Sequence, residues 1–172
     1  QISERNRTSN ISRVLSVSNI HGFVDQKEQF EDRVIASEDI SNYKIVRRND
    51  FAYNPARINV GSIARLSSYP EGIISPMYIS FMCSQVIEPS FLESFFETAM
   101  FNTEVKKRLE GSVRMCLSFE GLCNIPIPLP DIPTQNNIGK QVATLSEKIA
   151  VESKVRDYLT RQKNYLLAKM LI

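Results

Sequence analysis

The chain has 172 residues, 42% hydrophobic and 23% charged, with a formal net charge of +2. These values suit one folded domain, or one domain with an appended element, and exclude a disordered chain. No apolar run approaches the ~20 residues that span a bilayer and the N-terminus is polar rather than signal-like, so a soluble protein with no membrane partner is expected.

Residues 1–24 open polar and then alternate through Val14-Leu15-Ser16-Val17-Ser18, a strand that leads into the turn Asn19-Ile20-His21-Gly22. Residues 25–42 are charged and read as a loop or short helix. Tyr43-Lys44-Ile45-Val46 is another strand, and Arg47-Arg48-Asn49-Asp50 the tight turn after it. The stretch Phe51–Phe81 is dense in aromatics, arginines and turn residues. Its pattern predicts a strand at Phe51 and Tyr53, a second through Ile58, Val60 and Ile63, and a third joining Ile73-Ile74 to Tyr78–Phe81. Asn54-Pro55 and Pro70-Glu71-Gly72 supply the turns.

Helices follow. Ser90 with Glu93 forms a capping-box pattern after Pro89, and Leu92, Phe95, Phe96 and Ala99 recur at helical spacing on a core face. Val105 and Leu109 continue a second helix with Lys106, Lys107 and Arg108 at its cation-favouring end, stopped by Gly111. Ile125-Pro126-Ile127-Pro128-Leu129-Pro130 cannot be helical and reads as an extended edge strand or polyproline spacer, the clearest boundary in the chain. Beyond it Thr134 can cap a long helix. Its seam runs through Ile138, Val142, Leu145, Ile149, Glu152, Val155, Leu159, Gln162, Leu166 and Met170 in steps of three or four. Such a stripe wants a partner helix, with Ile138, Val142, Leu145, Ile149, Val155, Leu159, Leu166 and Met170 as the pairing residues. The expected fold is an α+β domain over residues 1–132 followed by a coiled-coil-forming helix over 133–172.

The chemistry is mainly one of exclusion. Cys83, Cys116 and Cys123 have no metal-ligand spacing and read as partly buried thiols in a reducing cytoplasm. The single histidine, His21, counts against His-rich metal sites and Ser-His-Asp hydrolysis, and reads as a turn residue. Dinucleotide, P-loop, GxSxG and HExxH signatures are missing. Asn54-Pro55-Ala56-Arg57 is comparable with the Asn-Pro-Pro-aromatic motif of adenine methyltransferases, but it lacks the second proline and the aromatic. No glycine-rich loop for S-adenosylmethionine accompanies it. Neither catalysis nor a bound cofactor is expected.

Charge is locally uneven: residues 25–39 carry a net −4, whereas residues 41–65 and the last 39 residues each carry +4. Local basic zones in a near-neutral chain fit a directed contact with a polyanion. Arginine can pair with guanine and asparagine with adenine, while lysine, arginine and serine serve phosphates. On that logic Asn54, Arg57, Asn59, Ser62, Arg65 and Arg114 are placed at double-stranded DNA, with Lys44, Arg47 and Arg48 positioning phosphates. Two alternatives stand beside this reading: a fragment of an adenine-specific DNA methyltransferase, and a coiled-coil adaptor that does not touch DNA.

Several motifs occur together, in order: the run Phe51–Ile63, then Gly72-Ile73-Ile74-Ser75-Pro76-Met77-Tyr78, Gly111-Ser112-Val113-Arg114 and Ile127-Pro128-Leu129-Pro130. Thr134-Gln135 with Ile138 and a terminal Leu166–Ile172 segment complete the set. This order resembles the specificity subunits of type I restriction–modification systems. The resemblance implies an α/β-type target-recognition domain plus a conserved-region helix, in a non-catalytic subunit of the prokaryotic cytoplasm. It implies methyltransferase (modification) subunits that hold S-adenosylmethionine, and a restriction subunit, as partners. Such subunits usually carry two halves with antiparallel helices. This chain holds one, so a second half-subunit or a homodimer through the C-terminal helix is implied. The recognised sequence does not follow from the resemblance.

Overall fold

The computed structural model describes residues 1–29, 39–112 and 115–170. Among these residues seven strands form two sheets, and the choice of sheet follows from which side chains can be buried on both faces. The first has the order β2-β1-β6-β3, from β1 (Val14–Ser18), β2 (Gly22–Asp25), β3 (Lys44–Arg47) and β6 (Glu71–Ile74). β1 and β2 are an antiparallel hairpin, β1 and β6 run parallel, and β3 pairs antiparallel with β6. Leu15, Val46, Ile73 and Ile74 are fully buried at its centre. A side chain at Gly72 would put its Cβ 2.5 Å from Leu15 Cδ1, so that position is closed to anything larger.

The second sheet has the order β5-β4-β7, from β4 (Phe51–Tyr53), β5 (Ile63–Arg65) and β7 (Ile79–Phe81), all antiparallel. All three residues of β4 are buried, because the period-2 alternation of a strand finds a core on each side. Ala52 packs toward Leu15, Val17, Val46, Leu66 and Ile74, between the sheets. Phe51 and Tyr53 face the helices, where Phe81, Phe95, Phe101, Val105 and Leu117 complete a second core. Phe51 stacks on Phe81 at 5.3 Å and Phe96 meets Phe101 at 4.7 Å, so the helical aromatics are core, as their spacing predicts.

Two strand expectations are corrected. Ile58 and Val60 lie in a 3-10 turn (Ile58–Val60), not a strand. The backbone here closes on itself: Arg57 N–H donates to Asn54 O, Val60 and Ser62 N–H to Arg57 O, and Gly61 N–H to Ile58 O. Ile58 is buried while Val60 is exposed, and Gly61 ends the turn at φ +88°. Likewise Ile73-Ile74 and Tyr78–Phe81 are not one strand. A turn closed by Tyr78 N–H on Ser75 O, around Pro76, sends the chain from the first sheet to the second.

Five helices are described: α1 (Gln26–Gln29), α2 (Pro89–Phe96), α3 (Ala99–Arg108), α4 (Phe119–Cys123) and α5 (Ile132–Met170). The α2 cap is not the Ser90–Glu93 box. Glu88 is the N-cap, its Oε2 accepting the Ser90 and Phe91 amides at 2.6 and 3.2 Å, with Pro89 in the first turn. Thr98 caps α3 and Ser118 caps α4 through their hydroxyls. The proline-rich segment 125–130 belongs to no strand, and Ile125 and Ile127 pack into the helical core. Asp131, not Thr134, caps α5, with Oδ1 accepting the Thr134 amide at 3.1 Å.

α5 is 39 residues long, roughly 58 Å at 1.5 Å per residue. Its first turns dock on α2. Gln135 is fully buried, its amide spanning the Glu88 N–H and the carbonyls of Val86 and Pro130. Gly139 lies so close to Ser90 that an added Cβ would stand 2.8 Å from the Ser90 Cβ and 3.1 Å from its carbonyl carbon. From Leu145 onward the apolar residues of the seam are exposed. No helix among the described residues is long and apolar enough to cross a membrane.

Candidate nucleic-acid interface

The nine proposed DNA-contacting residues separate into four groups. Lys44, Asn54 and Ser62 are interior. Lys44 is 8% exposed, its ammonium donates to Tyr78 O at 2.5 Å, and burial together with the nearby Arg5 charge lowers its pKa. Asn54 Oδ1 accepts the Ala56 amide at 3.1 Å in an Asx turn, and the Ser62 hydroxyl donates to Val17 O at 3.1 Å, tying the two sheets together. All three are buried, and the Lys44 ammonium, the Asn54 Oδ1 and the Ser62 hydroxyl are engaged within the fold, which counts against their facing DNA.

Arg47 and Arg65 are at the surface but engaged. Arg47 makes a bidentate pair with Glu4, at 2.7 and 2.9 Å, which raises the pKa of the guanidinium and lowers that of Glu4. Arg65, on β5, reaches Glu93 of α2 at 2.7–2.8 Å and Asn49 Oδ1 at 3.0 Å. Arg48, Arg57 and Asn59 are exposed, and among the described residues no side-chain partner holds them. Arg114 lies outside the described residues.

Arg57 and Asn59 sit on the 3-10 turn, and this turn abuts the tip of the β1–β2 hairpin: a Cβ on Gly61 would lie 3.6 Å from Asn19 O. The tip is ordered by Ser18, whose hydroxyl accepts the amides of Ile20 and His21 at 3.2 Å, and by Gly22 at φ +63°. Sequence reading recognised Asn19–Gly22 as a turn but gave it no place at the site. Beside it opens a cleft of about 530 Å³, lined by Ser18, Asn19, His21, Arg65, Ser67, Ser68, Glu93, Glu97 and Asn102, with Phe96 in its wall. Asn102 and Glu97 were missed as well. Asn102 reaches the cleft from α3 and Glu97 from the junction of α2 and α3, which no local motif announces.

This end of the molecule presents hydrogen-bond donors and acceptors on short, clamped turns. Turn arginine and asparagine can address base edges or phosphates, and the cleft carboxylates are suited to accept from a base amino group rather than to meet phosphate. Among the described residues no group of His, Cys, Asp and Glu could hold a metal ion. The thiols are free, and burial pushes Cys83 up to about 11, which makes it inert at neutral pH.

No protein-family model and no curated protein sequence matches the chain. Solved structures do. The HsdS subunit from Thermoanaerobacter tengcongensis aligns over 96% of this chain and 44% of its own, with a TM-score of 0.66 and 17% identity. A chain from a structure concerned with complex assembly and conformational transition of the type I R-M system aligns over 100% of this chain and 46% of its own, at TM-score 0.68 and 16% identity. At these identities the likeness is one of fold. The chain spans less than half the length of either structure.

Proposed function

We propose that this chain is one half of a type I restriction–modification specificity subunit, which recognises a DNA sequence and directs partner subunits to it. One observation carries the reading: sheets, capping helices and long terminal helix align together, as a single unit, with the HsdS subunit. In this role the chain performs no chemistry. Methyltransferase subunits would hold S-adenosylmethionine, and a restriction subunit would cut.

The residues best suited to touch DNA are Arg48, Arg57 and Asn59, together with Asn19 and His21 on the hairpin tip. They are exposed and sit on turns held by backbone bonds or, at the hairpin tip, by the Ser18 hydroxyl. Rigid turns lose little conformational freedom on binding, which favours discrimination between bases. Arg65, held by Glu93 and Asn49, supports the cleft wall rather than reaching outward.

The test is selection from a random duplex pool at near-physiological salt, with and without a cognate modification subunit. An enriched motif supports the reading, and enrichment only with the modification subunit assigns recognition to the assembly. No enrichment in either case sinks it and favours the adaptor. Binding of S-adenosylmethionine by this chain alone would instead favour the methyltransferase fragment.

A further inference from the structure

The loop that joins β1 to β2 is Asn19-Ile20-His21, and its apex is apolar. Ser18 pairs with Gly22 across the hairpin, and Ile20, between them, is 77% exposed. A hairpin loop ordinarily carries Gly, Asn, Asp or Ser, which favour the turn or stay solvated. The Ile20 side chain supports neither the turn nor the interior: it belongs to none of the hydrophobic clusters among the described residues. A second β-branched residue, Val60, is 51% exposed on the 3-10 turn, next to the Gly61 that abuts Asn19. A lone exposed apolar residue needs no explanation. Two of them on touching turns, at the end of the molecule that otherwise offers hydrogen-bonding groups, do need one.

We infer that Ile20 reads a thymine, packing on its C5-methyl group in the major groove, with Val60 extending the apolar surface beside it. The inference rests on the DNA reading above and deepens it. The thymine methyl is an apolar feature of the base edges, and it lies in the major groove. The β1–β2 hairpin is a two-stranded ribbon at the edge of its sheet, a shape that a major groove about 12 Å wide admits. With the 3-10 turn packed against its tip, it is too broad for a minor groove of about 6 Å. Ile20 also lines the cleft with Glu93 and Glu97. Their carboxylates repel phosphate, which favours base edges over the sugar–phosphate backbone on this side of the tip. The Ser18 hydroxyl fixes the loop, and a β-branched side chain has little χ1 freedom to lose on contact.

Two other uses of an exposed isoleucine fit less well. A wedge that unstacks base pairs works from the minor groove, for which the paired turns are too broad. A protein partner would cover a contiguous apolar patch, whereas Ile20 and Val60 are flanked by the exposed Asn19, His21, Arg57 and Asn59, whose groups match base edges and phosphates. One methyl group buried against Ile20 is worth about fourfold in affinity, which serves discrimination more than binding strength.

The test uses the duplex that the full chain enriches from a random pool, with the modification subunit present if enrichment requires it. Each thymine of the enriched motif is replaced in turn by uracil, which removes only the C5-methyl group. Affinity is then measured for the wild type, I20A and I20V. The expected result is a thymine position where uracil weakens wild-type binding about fourfold, while I20A binds thymine and uracil there equally. I20V, which keeps the apolar contact, should retain the preference. Ile20 is exposed and uncharged, so I20A should unfold at the wild-type temperature and keep the wild-type salt dependence of binding. Equal wild-type affinity for thymine and uracil at every position overturns the inference and leaves the DNA reading standing. So does a motif without thymine, or a uracil penalty that persists in I20A. No enriched motif, with or without the modification subunit, sinks the DNA reading and this inference together.

Discussion

Arg57 and Arg65 lie eight positions apart and carry the same group, yet they have different work. The Arg65 guanidinium is satisfied by Glu93 and Asn49, whereas Arg57 projects from its turn with only its backbone engaged. Arg57→Ala is therefore expected to weaken DNA binding by about 1–3 kcal/mol if it meets a base edge, or to reduce the salt dependence by about one unit if it meets phosphate. Its thermal unfolding should stay unchanged. Arg65→Ala should instead lower stability, because Glu93 is left without its cation beside the cleft. Ser62→Ala is expected to cost about 1 kcal/mol through loss of the bond to Val17 O, read by urea titration, with no change in DNA contacts. Glu88 adds a pH dependence. Burial acts to raise its pKa, but the Ser90 hydroxyl, the Ser90 and Phe91 amides and the Arg65 charge together hold it below 4.5. A lowered carboxylate contributes stability that is present above pH 4.5 and is lost as pH falls through the folded value. Glu88→Gln should flatten the acid limb of the stability curve, and Glu88→Ala should also remove about 1 kcal/mol of capping.

At the scale of elements, the junction of α2 and α5 holds the domain to its long helix. Gln135 reaches the backbone N–H of Glu88, the residue whose side chain caps α2, so one amide links the starts of two helices. Gln135→Leu leaves that N–H and two carbonyls without their partner, an expected loss of about 2–3 kcal/mol. Gly139→Ala forces a methyl group onto the Ser90 backbone and should loosen the docking, seen as faster amide exchange in the first turns of α5. These contacts give a physical reason for the Thr134-Gln135 and Ile138 motif: it binds a helix to its domain. In the same way Gly72 is required by Leu15, and Asn54 by its Asx turn.

For the whole molecule, the structure places the start of α5 inside the packing of the domain, although the chain's composition changes at the proline segment. Chains ending at residue 131 and at residue 146 separate the two possibilities. The shorter one lacks Gln135 and Gly139 and should unfold at a lower temperature by several degrees. The longer one keeps the docking and should match the full chain in thermal unfolding. Equal stability of the two truncations would show that the domain is complete without the helix.

Much of the local structure was legible in the sequence, because strand alternation, helical spacing and turn chemistry act between near neighbours. Strand β1 with the turn after it, the Arg47–Asp50 turn with Asn49 at φ +73°, the aromatic core helices and the length of α5 follow from such signals, whereas β2 was not expected. The strand expected at Ile58–Val60 and the one expected to run on to Phe81 did not form, since turn closure and sheet choice overrode a short apolar pattern. The site was less legible. Lys44 went inside, and Arg47 and Arg65 met carboxylates 43 and 28 residues away. Sequence alone determined where cations and turns occur along the chain; only the tertiary structure decided which cations remain exposed, because that depends on partners brought together by long-range folding.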